Sequence, residues 1–219
     1  MVSRLKLSKR STEPLVDATN YRRIVGSLRY LVNTRPDLAF AVGYVSRFLE
    51  PHADHMVVVK HILRYVVGTC DWGLCFKKKQ EQAVLIGFSD SDFGGNVDSR
   101  KSTTGVIFFL VCSPITWQST KHKVVAQSSC EAEYIAAANA ACQALWLSRV
   151  LGKLQGIDPS APKLKVDNRS AIALIKNPVL SGQSKHIEVK YHLVRESAEQ
   201  GRIKVEDVRS DDQLGDILT

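Results

Sequence analysis

Four acidic residues in this 219-residue chain stand where an acid needs a reason. Asp90 ends the apolar run VLIGFS, and Asp167 ends the short run LKV. Charged side chains are seldom buried unless they are paired or hold a metal, and the C-terminal ends of strands are where α/β sheets place ligand sites. Glu133 falls in the first turns of a long Ala-rich stretch, and Asp216 falls in the last segment of the chain. If the strands that end in Asp90 and Asp167 are neighbours, four carboxylates from four elements meet at one end of a sheet. Four such anions repel one another, and divalent cations are the charge that holds them together. An all-oxygen donor set favours Mg²⁺ or Mn²⁺ over Zn²⁺.

Two acids compete for the helix position. Ser128 and Glu131 have the S-x-x-E spacing of a capping box, which turns Glu131 back on the helix start. Glu133 is then freer to face the site, since residues two apart on a helix point to nearly opposite sides. Its neighbours three and four residues away include Ala136, Ala137, Ala140 and Ala144, a small-residue face suited to close packing. Periodicity alone leaves the choice open, because Glu131 also has apolar neighbours in Tyr134, Ile135 and Ala138.

The elements that must position these acids change character along the chain. Residues 1–16 are polar and basic and are expected to form a disordered tail. Residues 17–80 read mainly as three short helices. The first carries Tyr21, Val25, Leu28 and Val32 at helical spacing, the second starts at Pro36, and the third places Met56, Val59, Lys60 and Leu63 on one face before Gly68. GLCFKKK and AVLIGFSD then read as strands about the polar turn at 79–81. TTGVIFFLV and PITWQS follow as a hairpin about Cys112-Ser113-Pro114. A long helix from about Ser129 to Leu154, the strand LKVD, two helices, the strand RIKVEDV and a last helix begun by Asp211 complete residues 81–219. Three consecutive strands followed by alternating helix and strand make the fold class α/β, a mixed sheet with helices on its faces.

Charge separates the two stretches further. The chain carries a net charge of +8, and all of it lies in residues 1–80, which hold 14 basic residues against 6 acidic. A basic front on a neutral back suits a polyanionic partner. No run approaches the roughly 18 apolar residues of a membrane span, and the opening MVSRLKLSKR lacks the apolar core of a signal peptide. An intracellular protein of cytoplasm or nucleus, with no membrane partner, is expected. Five cysteines without C-x-x-C spacing fit reduced, buried thiols.

The strings GFSDSDFGG, ITWQSTKHKVVAQSSCEAEYIAA, LKVDNRSAIALIKNP, SKHIEVKYHLVRE and EDVRSDDQLGDILT, in that order, closely resemble the ribonuclease H domain of plant copia-type retrotransposon polyproteins. YRRIVGSLRYLVNTRPDLAFAVGYVSRF and HILRYVVGT resemble the segment that connects reverse transcriptase to that domain. The resemblance covers roughly residues 4–219, and colinear motifs make it far more specific than a lone pattern. It implies a ribonuclease H-like mixed five-stranded sheet with helices on both faces, preceded by the helical segment. It also implies a hydrolase that cuts the RNA strand of an RNA–DNA hybrid with two divalent ions, Mg²⁺ or Mn²⁺, on an Asp-Glu-Asp-Asp set. By motif that set is Asp90, Glu133, Asp167 and Asp216. Gln127, Ser128, Ser129, Asn168 and Ser170 are expected as groove contacts, and Arg100 and Lys101 as phosphate contacts, with the basic first 80 residues extending that track. Duplex RNA or DNA are alternative partners.

Asp92 is expected to face solvent in a turn, and Asp98, Asp211 and Asp212 to be loop and cap acids. The six histidines include no metal-binding pair and are expected on the surface or in packing; His186 falls in the KHIEVKYH motif. Cellular and retroviral relatives carry a His after the fifth strand, where this chain has VRSDDQ. The sequence given stops three residues after Asp216, which leads one to expect a frayed last turn. The alternative function is a catalytically silent nucleic-acid-binding or protein-interaction module co-opted from such an element.

Overall fold

Strand-forming residues between 85 and 121 fold back on themselves as a meander: β1 (Leu85–Ser91), β2 (Thr103–Leu110) and β3 (Ser113–Lys121). The structure is a computed structural model that describes residues 6–76, 84–156, 160–176 and 188–219. Two further strands, β4 (Lys163–Val166) and β5 (Lys204–Asp207), complete a five-stranded sheet of order β3-β2-β1-β4-β5. The meander pairs are antiparallel, whereas β1 with β4 and β4 with β5 run parallel. Both edges of β1 are therefore occupied. That explains why residues 73–76, expected to begin a strand paired with β1, join no ladder; the rest of GLCFKKK and the turn at 79–81 lie outside the described residues.

One face of the sheet is covered by α4 (Ser129–Gln155), α5 (Arg169–Lys176) and α6 (Glu188–Glu199). α4 presents Ala136, Ala137, Ala140, Ala141 and Ala144, all fully buried, so its backbone approaches β1 closely. Leu85, Phe108, Leu164, Val166, Ile172, Ile175 and Val194 fill the rest of this core. α4 ends at Gly156 with φ 66°, a left-handed cap that glycine adopts without strain.

The other face is covered by the N-terminal helices α1 (Ala18–Leu31), α2 (Ala39–Val45) and α3 (Ala53–Gly68). They pack around Tyr21, Val25, Leu28, Val42, Val59 and Ile62. α2 rests on the sheet through Ala39, which joins Phe88, Ile107 and Leu218 in a small cluster. The Trp117 indole N–H donates to the Val32 carbonyl (2.8 Å), which ties β3 to the end of α1. Among the described residues no helix is long and apolar enough to cross a membrane.

Several expectations need correction. The buried residues of α3 are His55, Val58, Val59 and Ile62, so of Met56, Val59, Lys60 and Leu63 only Val59 is buried. His55 turns inward because its ring stacks on Phe48 (centroids 4.0 Å apart) and accepts from the His52 N–H (2.9 Å). Residues 6–16 are not a free tail, since Leu7 is buried in the helical core and its N–H donates to the Tyr44 hydroxyl (3.1 Å). The last segment forms two single 3₁₀ turns, Ser210–Asp212 and Asp216–Leu218, not an α-helix. Nine residues are too few for a marginal helix to win against the docking of Gln213 and Leu218 on the sheet. Cys70, Cys75 and Cys112 are free and exposed rather than buried.

Candidate metal centre

The parallel pairing of β1 with β4 places two acids side by side. Phe88 lies opposite Lys165 in the ladder, and Asp90 and Asp167 each follow two residues later, on the same face at the same end of the sheet. α4 begins above that end, so Glu133, one turn into the helix, reaches down beside them. Carboxylate oxygens of Asp90, Glu133 and Asp167 all lie within 4.8 Å of one another. Asp216, in the last 3₁₀ turn, comes against Asp90 from the solvent side and is itself exposed.

Each member is fixed by a neighbour. Glu133 is buried and its Oε1 accepts from the Ser91 N–H (3.0 Å), while its Oε2 is buried with no hydrogen-bond partner among the described residues. A buried carboxylate oxygen among other carboxylates is costly unless a proton shared with Asp90 or a cation completes it. Asp90 accepts from the Thr219 hydroxyl (2.5 Å), and Asp167 from the Ser210 hydroxyl (3.3 Å). Burial, and then the charges of Asp90 and Asp167, push the Glu133 carboxyl up to about 9. Burial and the same two charges raise Asp216 to about 6. Burial also raises Asp90, with Thr219 opposing it and Asp167 adding to it. Acids that resist ionising when crowded together match a donor set built for divalent cations.

The competition at the start of α4 resolves as the capping geometry requires. The Ser128 hydroxyl accepts from the Glu131 N–H (3.1 Å), and the Glu131 carboxylate accepts from the Gln127 N–H (2.7 Å), one residue earlier than in the standard box. Gln127, Ser128 and Ser129 are exposed just above the acids. Asn168 follows Asp167 and caps α5 by accepting from the Ala171 N–H (2.9 Å), and Ser170 is exposed in the first turn. Arg100 is exposed in the β1–β2 loop, in a left-handed conformation (φ 54°), whereas the Lys101 ammonium donates to the Lys123 carbonyl. Asp92 is not a solvent-facing turn acid. It is half-buried and accepts from the Thr103 N–H, which closes the β1–β2 loop. His122 packs inside, bonded to the Thr104 hydroxyl (2.6 Å), and His186 lies outside the described residues.

The residue that sequence reasoning missed is Gln213. It is buried, its amide N–H donates to the Ser89 carbonyl (2.9 Å) and its Oε1 accepts from the Gly215 N–H (3.1 Å). Gly215 then rests on β1, where a Cβ would come within 2.9 Å of the Asp90 Cβ, so only glycine fits. Leu218 is fully buried and its carbonyl accepts from the Ser119 hydroxyl (2.7 Å). The last turn is therefore packed rather than frayed. Gln213→Ala leaves a buried Ser89 carbonyl unpaired at a cost of about 1–3 kcal/mol, a drop of roughly 2–10 °C in melting temperature. Thermal unfolding checks it, and an unchanged melting temperature would show that Gln213 does not anchor the segment bearing Asp216.

No family model matches the chain. It is 42% identical over 221 residues, its whole length, to a retrovirus-related Pol polyprotein from transposon RE2 of Arabidopsis thaliana. It is 41% identical over 227 residues, again its whole length, to that from transposon TNT 1-94 of Nicotiana tabacum. Over its whole length the chain is similar to one stretch of the retrovirus-related Pol polyproteins of transposons. It spans 15% of the first relative's length and 17% of the second's. Among solved structures it is similar to the N-terminal RNase H domain of a Mycobacterium tuberculosis protein, at 12% identity and a TM-score of 0.46 over 63% of this chain and 91% of that one. Three of the four acids expected from the sequence, Asp90, Glu133 and Asp167, meet at the end of the sheet, with Asp216 beside Asp90.

Proposed function

We propose that the chain is an endonuclease that hydrolyses the RNA strand of RNA–DNA hybrids. The observation that carries the reading is the convergence of Asp90, Glu133 and Asp167 within 4.8 Å, with Glu133 Oε2 buried and unpartnered among the described residues. Two divalent ions, Mg²⁺ or Mn²⁺, held by these three acids and Asp216, would activate water and steady the leaving 3′ oxygen of a phosphodiester. The chain's own groups do the positioning. The Ser91 N–H aims Glu133, the Thr219 hydroxyl aims Asp90, and Gln213 docks the turn that brings Asp216 to them. Gln127, Ser128 and Ser129 on one side and Asn168 and Ser170 on the other line the approach, where they suit a minor groove that displays 2′-hydroxyls on one strand. Arg100 and Lys101 supply positive charge beside it.

The test is cleavage of end-labelled hybrid, duplex RNA and duplex DNA of one sequence by the folded protein with Mg²⁺ or Mn²⁺. The expected result is cutting of the RNA strand in the hybrid alone, with loss of all cleavage in chelator. A folded protein that cuts nothing with either ion, yet retains hybrid, would instead be the silent binding module.

A further inference from the structure

The first residues described do something the rest of the site cannot. From Lys6 to Arg10 the chain runs as a strap across the junction between the N-terminal helices and the sheet. Leu7 anchors it in the helical core. The His55 Nε2–H donates to the Ser8 carbonyl (3.1 Å), holding the strap to α3. Asp98, in the β1–β2 loop, accepts from the Ser8 hydroxyl (2.6 Å) and from the Lys9 N–H (3.0 Å), clipping the strap to the sheet side.

The clip spends the Asp98 carboxylate on the strap's hydroxyl and backbone, leaving the Lys9 ammonium to join Arg47, Lys101 and Lys121. These four cations come from four places in the chain: the strap, the end of α2, the start of β2 and the end of β3. None is ion-paired to a carboxylate among the described residues. Arg47 donates to the Thr103 hydroxyl (3.3 Å), and Thr103 lies opposite Lys121 in the ladder. The cations are close enough that Lys121, already disfavoured by burial, is pushed further below its ordinary range by Arg47, Lys9 and Lys101, with Asp98 opposing them. Asp98 and Asp92 offset part of the repulsion among the four cations, and a polyanion relieves the rest.

Position favours a nucleic-acid strand as that polyanion. The Ser91 hydroxyl donates to the Thr103 carbonyl, so the patch begins one strand from the residue that follows Asp90. Two strand spacings put Lys121 roughly 10 Å from the acid end of β1. Beside the patch lies a groove of about 490 Å³ with Lys6 and Arg100 on its rim and exposed Phe93 and Val125 in its lining. Cations next to exposed apolar side chains match a strand that offers phosphates together with sugars and bases.

We propose that Lys9, Arg47, Lys101 and Lys121 form one binding surface for the sugar–phosphate backbone of the hybrid, and that the Asp98 clip on the strap assembles it. The inference rests on the hybrid reading above, but its test requires no cleavage. Hybrid affinity is measured by fluorescence anisotropy with Ca²⁺ in place of Mg²⁺, across a range of salt. Lys9→Glu and Lys121→Gln each weaken binding several-fold and flatten the slope of log affinity against log salt by about 1. Lys153→Glu makes the same net-charge change as Lys9→Glu, roughly 30 Å along α4 from Glu133, and leaves affinity unchanged. Asp98→Asn is the decisive variant. Removing an acid beside a basic patch should by charge alone tighten binding, whereas loss of the clip weakens it. Adding Lys9→Glu to Asp98→Asn then costs much less than Lys9→Glu alone. Tighter binding by Asp98→Asn in a protein with an unchanged melting temperature would overturn the clip, and equal losses for Lys9→Glu and Lys153→Glu would overturn the surface. A chain that cuts no hybrid but shows these losses would keep the surface and lose the nuclease. A chain that cuts but shows none would do the reverse.

Discussion

Asp90→Asn will reduce hybrid cleavage well beyond the roughly 10- to 100-fold that loss of an outer-shell partner costs a metal site, and it will do so in a protein that melts no lower than the parent. Asp90 sits at the centre of the cluster, between Glu133 and Asp167, with Asp216 against it. Asparagine keeps its volume and still accepts from the Thr219 hydroxyl, so the buried packing survives. What disappears is one negative charge. That charge helps push Glu133 to about 9 and Asp216 to about 6, so without cations its removal relieves repulsion and the melting temperature rises. Loss of function with gain of stability is the mark of a strained functional cluster rather than a structural one. Rates on labelled hybrid and thermal unfolding in chelator check the two halves. Parental cleavage by the variant would remove the acids from the chemistry, and a large fall in melting temperature would make Asp90 a structural residue.

How much of this was legible in the chain depends on how local each signal is. Asp90 and Asp167 could be read because each acid terminates an apolar strand, and their meeting needed only that β1 and β4 pair. Glu133 could be narrowed to two acids by the capping spacing of Ser128 and Glu131, but helical periodicity could not choose between them. The structure shows why the choice falls as it does: Glu131 is spent on the Gln127 N–H and Glu133 is buried against Ser91. Local pattern put Asp216 only in the last segment of the chain, because its place depends on Gln213 and Leu218 bonding to Ser89 and Ser119, 124 and 99 residues earlier. The same long-range contacts made the last turn look loose in sequence when it is packed. The strap was hidden for a similar reason. Leu7 is a lone apolar residue next to Ser8, and the strap is held by Tyr44 on Leu7 and by His55 and Asp98 on Ser8, none of them near it in the chain. The buried stripe of α3 was misjudged because a histidine, scored as polar, is one of its core members.

Mg²⁺ will raise the melting temperature of the protein, and the rise will grow with pH. The sign follows from the direction of the shifts. The Glu133 carboxyl is raised from its ordinary 4.5 to about 9 in the folded chain, and Asp216 from 3.8 to about 6. A proton is thus held more tightly folded than unfolded. The stability this contributes is fully present below the unfolded values and is lost as pH climbs, through about 6 for Asp216 and on towards about 9 for Glu133. In chelator the protein should therefore melt progressively lower across that window. A divalent cation binds the ionised acids and must displace those protons, so it competes poorly near pH 5 and well near pH 8. At a hundredfold excess over its dissociation constant a ligand of the folded state contributes about 2.7 kcal/mol, roughly 5–10 °C for a chain of this size. Paired melts with Mg²⁺ and with chelator, from acid to alkaline buffer, measure it. In Glu133→Gln the metal-induced rise shrinks and its growth above pH 6 disappears, because the group that exchanges a proton for the cation there is gone. A rise that is flat with pH, or that is unchanged in Glu133→Gln, would place the cation somewhere other than among these acids.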